Sequence, residues 1–216
     1  MYESLYDEIH RFHVLSVERA ERNRLLQKGL RQALLCGACE QRLGVYERYV
    51  SLMMRGGLEL EYETKGRQVL VRGVDYQAVR MFQLSILWRA GVSLLPFFSQ
   101  VVLGPHQEKL RVLIDTDDPG TPWRYSCLMF TLIYEGKIQD DLIMQPVMIR
   151  CDGVSACRFV FGGHVWVYFV ANHQTPSRLE RFSLQPSGEL TIHMTNMASA
   201  PFITEFGRVL SEQGKL

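Results

Sequence analysis

The sequence predicts an α+β protein, helical in its first half and mostly antiparallel sheet with a closing helix in its second. Three observations carry this. Leu43, Tyr46, Val50, Met53 and Met54 recur at helical spacing. The stretch after Asp75 is apolar nearly all round, as a buried helix is. Phe159 to Val170 is an apolar run broken by Gly162-Gly163, which reads as two strands and a tight turn.

Along the chain, His10-Arg-Phe-His13-Val-Leu reads as a strand, with exposed or hydrogen-bonded imidazoles. Val17 to Arg31 carries Arg19, Arg22, Arg24, Lys28 and Arg31 against Glu18 and Glu21, a basic excess that fits a solvated helix or loop face. A helix follows Cys39 and stops at Gly56-Gly57. Leu58 to Tyr62 and Val69 to Val71 alternate apolar and polar residues, so a hairpin is expected around Thr64 to Arg67. Asp75 suits the N-cap of a helix running through Trp88 and Arg89. Pro96 ends the next turn, and Gly104-Pro105 places proline at a first helical position, with the helix running through Leu113.

Asp115 to Pro122 is a loop. Its three carboxylates do not match the calcium-loop pattern, and Pro119-Gly120 explains a turn. Met144 to Ile149 and Leu190 to His193 are further strands. The two strands around Gly162-Gly163 are apolar on both faces, so they are central, with something packed on each side. Pro201 to Ser211 forms an amphipathic closing helix before Gly214. There is no internal repeat.

Composition bounds the function. Apolar residues are 47% and charged residues 22% of 216, an ordinary globular balance. Lys plus Arg number 24 against 23 Asp plus Glu, so a dominant basic field for nucleic acid or membrane is absent, although a local patch is not excluded. The longest apolar run, Val165 to Ala171, is far short of the ~20 residues that span a bilayer. The acidic start at Met1 has no apolar core of a signal peptide. Five cysteines, an odd number with two at C-x-x-C spacing, fit a reducing compartment, so the expected location is the cytoplasm.

Cys36-Gly37-Ala38-Cys39 is the sharpest motif. Two thiolates separated by two residues can share one tetrahedral zinc at ~2.3 Å, and a helix start favours them electrostatically. Four ligands close such a site. The nearest further candidates, His10 and His13, would complete a reversed Cys2His2 set, whereas Cys151 and Cys157 read as structural thiols. The rival chemistry is thiol–disulfide exchange, which normally places C-x-x-C after a strand, and Gln27 to Ala33 is not strand-like. No G-x-S-x-G, Walker A, dinucleotide glycine motif or H-E-x-x-H is present. His106, His164, His173 and His193 have no sequence-local catalytic partner, and Trp88, Trp123 and Trp166 read as core or interface.

Leu34-Leu35-Cys36-Gly-Ala-Cys39-Glu-Gln-Arg42 through Tyr46-Glu-Arg-Tyr49 resembles a family of mostly uncharacterised bacterial proteins that are similar to HNH endonucleases of the treble-clef type. The resemblance continues through Phe82 to Ala90, Leu103 to Glu108 and Phe159 to Gly163, nearly the whole chain. Members begin with another C-x-x-C and a Ser-His-Ile-Ile-Pro-like segment, followed by a stretch like His10 to Ser16. That pattern implies zinc ligation by Cys36 and Cys39. The remaining ligands and the HNH-like histidine would lie in the segment before Met1, so the start is misassigned or the site has been lost.

The expectations are therefore as follows. Residues 1–57 form a residual treble-clef segment and helix, and 58–216 an α+β domain. Cys36 and Cys39 are metal ligands for zinc in an incomplete site. The protein is nucleic-acid-associated, in a role such as defence against foreign DNA, and not catalytic as it stands. The alternatives are a protein-interaction module with a structural C-x-x-C, whose partner is another protein, and, more distantly, a thiol oxidoreductase. No membrane partner is expected.

Overall fold

A computed structural model describes residues 12–19, 21–26, 29–171 and 177–215. It has an α+β architecture: one large mixed sheet, mostly antiparallel, with helices on both faces. The ten strands are β1 (Phe12–Leu15), β2 (Arg24–Leu26), β3 (Glu61–Lys65), β4 (Gln68–Arg72), β5 (Cys127–Tyr134), β6 (Lys137–Ile138), β7 (Leu142–Cys151), β8 (Val154–Phe161), β9 (His164–Phe169) and β10 (Leu190–Asn196). The helices are α1 (Gly37–Met54), α2 (Tyr76–Val92), α3 (His106–Asp115), the single turn α4 (Ser177–Glu180) and α5 (Pro201–Glu212). No helix among the described residues is long and apolar enough to cross a membrane.

The strand order is β2-β1-β7-β8-β9-β5-β10-β4-β3, with β6 pairing the far end of β5. Among the described residues, only β1 with β7 and β10 with β5 run parallel. Successive side chains of a strand point to opposite faces, and the two faces fill different cores. Met129, Trp166 and Tyr168 pack with α1, α2 and α3, whereas Leu128, Val165 and Val167 pack with Phe206 and Leu210 of α5. Every residue of β9 is buried, the central two-sided strand expected from its composition.

Most elements fall where the sequence places them. The Asp75 carboxylate caps α2 by accepting from the Ala78 amide at 2.9 Å. The Gly162-Gly163 turn joins β8 to β9, and α5 begins on Pro201. Differences are local. Pro105 is the N-cap of α3 rather than its first helical residue, and β3 begins at Glu61 rather than Leu58. The register of β7 against β8 shifts between Met144 and Val147; Pro146 there has no N–H to give the ladder. The neighbouring Gln145 carboxamide accepts from Ser16 Oγ at 2.8 Å and from the Val17 amide at 2.9 Å, which ties β1 to β7. Of the basic segment, Arg24 to Leu26 forms β2, and exposed Arg19, Arg22 and Arg31 lie in irregular backbone. Strand β5 was not expected, although it sits between β9 and β10 near the middle of the sheet.

Candidate metal centre

Residues 29–35 enter α1 without regular structure, and Cys36 is the N-cap, with extended backbone (φ −74°, ψ 162°). Its carbonyl accepts the first helical bond, from the Glu40 amide at 3.0 Å. Cys39 therefore stands one turn on, in the ring of amides that a helix leaves unpaired at its start. Cys36 is exposed, Cys39 is partly exposed, and neither is in a disulfide.

The two thiols are electrostatically unequal. The Cys36 thiol is held below its ordinary value, first by the Cys39 amide, then by the Cys39 thiol and the Ala38 amide. The large soft sulfur makes no cap hydrogen bond of ordinary N-cap geometry, so the influence of these amides is a matter of field and proximity. Cys39 is pushed up, first because its S–H donates to Cys36, then by burial and by the Cys36 and Asp115 charges, with Arg42 opposing. The lowered Cys36 thiol suits a metal, which takes the thiolate, whereas Cys39 would first have to give up the proton it shares with Cys36.

α1 is held firmly where it carries the pair. Arg42 donates to the carbonyls of Asp115 and Ile114 at 2.9 and 3.0 Å, capping the last turn of α3. The Tyr46 hydroxyl donates to the Asp117 carboxylate at 2.8 Å. Glu47 pairs with Arg89 of α2, and the Asp75 amide donates to the Tyr49 hydroxyl oxygen at 2.8 Å. An apolar cleft of about 190 Å³ opens nearby, walled by Leu30, Leu34, Phe97 and Phe161, with Glu40 and Arg89 at its polar side.

Among the described residues, no three His, Cys, Asp or Glu side chains converge closely enough to hold a metal ion. His13 lies exposed on β1, paired with Leu142 and Leu25, and His10 is outside the described residues. Cys36 and Cys39 thus stand as a pair, with no third candidate ligand beside them among the described residues, where a closed tetrahedral site takes four.

The other candidates are accounted for by packing. Cys127 and Cys157 are buried; burial drives the Cys157 thiol up to about 12 and raises Cys127 further. Cys151 is half-buried at the end of β7. In the acidic loop, the Asp117 carboxylate also accepts from Gln77 Nε2 at 3.0 Å, and Asp118 accepts from the Gly120 amide at 2.9 Å, so both carry structural bonds. His106 Nδ1 lies 3.0 Å from the Tyr125 hydroxyl. The His193 ring packs between Phe130 and Phe182, with centroids 5.5 and 4.6 Å away. His173 is outside the described residues. Trp166 stacks on Phe161 inside the core.

Two features escaped sequence reasoning. Arg80 is buried within α2, and His164 meets Thr131 across the β5–β9 ladder. Comparison with protein-family models, with characterised proteins and with solved structures finds no match to the chain.

Proposed function

We propose that Cys36 and Cys39 form the helix-side half of a structural zinc knuckle. On this reading the protein is nucleic-acid-associated, in a role such as defence against foreign DNA, and does not itself catalyse cleavage. The observation that carries the reading is the placement of two accessible thiols one turn apart at the N-terminus of a helix pinned at Arg42, Tyr46 and Glu47. A rigid pair of this kind suits a metal that must be held rather than a group that must move. The other ligands come from a second chain. The working compartment is the reducing cytoplasm, where such thiols stay free to bind metal.

Exposed Arg19, Arg22 and Arg31 on the segment leading into Cys36 supply the local positive charge for a phosphate backbone. Fluorescence anisotropy with a labelled DNA duplex tests this. Binding should weaken steeply between 50 and 200 mM salt (about the range over which phosphate contacts lose affinity). It should also fall at least tenfold when all three arginines become glutamate. Binding unaffected by both changes would refute a nucleic-acid role and leave the protein-interaction alternative.

A second reading has a specific observation behind it. A depressed thiol at Cys36 beside a raised one at Cys39 is also the asymmetry of a nucleophilic and a resolving cysteine. Irregular backbone rather than a strand leads into the pair, which favours the metal reading. Reduction of a small disulfide by the protein, abolished in Cys36→Ser, would reverse that preference.

A further inference from the structure

A second cavity lies on the same face of the sheet, at the opposite end of α1, roughly 27 Å along the helix from Cys36 at 1.5 Å per residue. Its volume is about 330 Å³. α1 stops at Met54, and beyond it the cavity is floored by β4, β5 and β10, whose Val71, Met129 and Leu190 are buried. The rim carries Tyr62 and Ile138, both more than half exposed.

The rim at Ile138 depends on a glycine. Gly163 has φ +76°, and a Cβ placed on it would come within 2.3 Å of Ile138 Cγ2. The absence of a side chain there lets β6 lie across the β8–β9 turn and close one side of the cavity.

A gap at a helix end needs no ligand to explain it. The floor of this gap is harder to explain that way. Thr131 and His164 are directly opposite in the β5–β9 register, and Thr131 Oγ1 lies 3.0 Å from His164 Nδ1. Only 8% of His164 and 7% of Thr131 is exposed, and both line the cavity. The bond to Thr131 occupies Nδ1, so Nε2 is the ring nitrogen left for a ligand in the cavity that His164 lines. Burying an imidazole in an apolar wall is costly unless its polar atoms are used. Burial also holds the ring neutral, with its pKa lowered to about 4.

Apart from the Tyr62 hydroxyl the rest of the wall is apolar, with Met53, Met54 and Met129 giving it three thioethers and no charged side chain among the described residues lining it. Methionine sulfur packs well against aromatic rings. A charged ligand would find no counter-ion, and the volume is at the small end of ligand cavities, about 300–1,000 Å³. A hydroxyl can both donate and accept, so it suits Nε2 in either tautomer.

We propose that this cavity binds a small neutral aromatic molecule with one hydroxyl group, its ring against the methionines and its hydroxyl on His164 Nε2. The site is independent of the cysteine pair and stands or falls without it.

The test is an NMR titration of the full chain labelled at the methionine methyls, with p-cresol as the probe. Toluene serves as the analogue lacking the hydroxyl, and benzoate as the charged one. The proposal expects saturable shifts at Met53, Met54 and Met129 with p-cresol, and binding at least tenfold weaker for toluene and for benzoate. It expects His164→Leu to bring p-cresol down to the level of toluene. Failure of p-cresol to shift these methyls saturably would overturn it, as would equal binding of toluene. Retention of full p-cresol affinity in a folded His164→Leu protein would do the same. The comparison of ligands on the unaltered chain decides the matter even where the variant does not fold.

Discussion

Arg80 Nη1 donates to the carbonyl oxygen of Tyr125 at 2.8 Å, and the arginine that makes this bond is 99% buried with no carboxylate paired to it among the described residues. The same guanidinium reaches the carbonyls of Arg124 at 2.6 Å, Pro119 at 3.3 Å and Thr121 at 3.5 Å. Four backbone oxygens of one loop thus solvate a buried cation, whose pKa burial lowers from the ordinary arginine value. Arg80 is the peg around which residues 119–125 fold before β5 begins.

Replacing Arg80 should therefore be expensive. Arg80→Met leaves several carbonyls without a donor, and a loss of about 3 kcal/mol in urea unfolding is expected. Arg80→Lys should recover only part of it, because a point charge with three donors cannot span the fork geometry. A loss within 0.5 kcal/mol (roughly that of a surface substitution) would remove Arg80 from this role.

His164 sets a pH dependence. Its folded pKa is lowered to about 4 from 6.5 by burial alone, so the unfolded chain takes up the proton first as pH falls. The stability contributed by the neutral ring is whole above pH 6.5 and is lost as pH falls toward 4. The loss amounts to about 3 kcal/mol over that window. Urea midpoints at pH 7.5 and pH 5 should differ markedly for the natural chain and much less for His164→Leu. Equal pH slopes in the two would show that other groups carry the dependence; His106 and His193 shift in the same direction.

Gly188 is a site where a single methyl should matter. Its φ is +80°, its carbonyl accepts from the Val74 amide at 3.1 Å, and a Cβ there would stand 2.6 Å from the Val74 carbonyl oxygen. Backbone cannot move aside as a flexible side chain can. Gly188→Ala should cost about 2 kcal/mol or more from strain and clash together, read as a lower thermal midpoint. An unchanged midpoint would mean that the β4–α2 connection is looser than this contact implies.

The cysteines should alkylate in a fixed order. Cys36 is exposed with a lowered thiol, Cys39 keeps its proton, and Cys127 and Cys157 are buried with raised ones. Iodoacetamide at neutral pH should modify Cys36 first, with Cys127 and Cys157 reacting only as the chain unfolds. Peptide mass mapping over time reads the order directly. Earlier labelling of Cys39 would reverse the roles assigned to the two thiols.

Much of this fold was legible in local chemistry. Asp75 before an apolar segment marked α2, and Gly162-Gly163 between apolar runs marked the β8–β9 hairpin, because caps and turns act within a few residues. Strand β5 was not legible for a physical reason. Cys127 to Tyr134 is apolar except at Thr131, so it has no period to separate strand from helix, and its pairing with β9 and β10 comes from residues over thirty positions away. Cys36 and Cys39 were visible through their spacing. Arg80 was not, since its partners are backbone carbonyls some forty residues on, and neither was the His164–Thr131 pair, which exists only through strand register.

The most direct test of the half-site is the zinc content of the purified, reduced, monomeric chain, measured beside Cys36→Ser and Cys39→Ser. The account predicts well under one zinc per chain, with what is bound lost in both variants. A full equivalent of zinc per chain would contradict it, as would zinc that survives both substitutions.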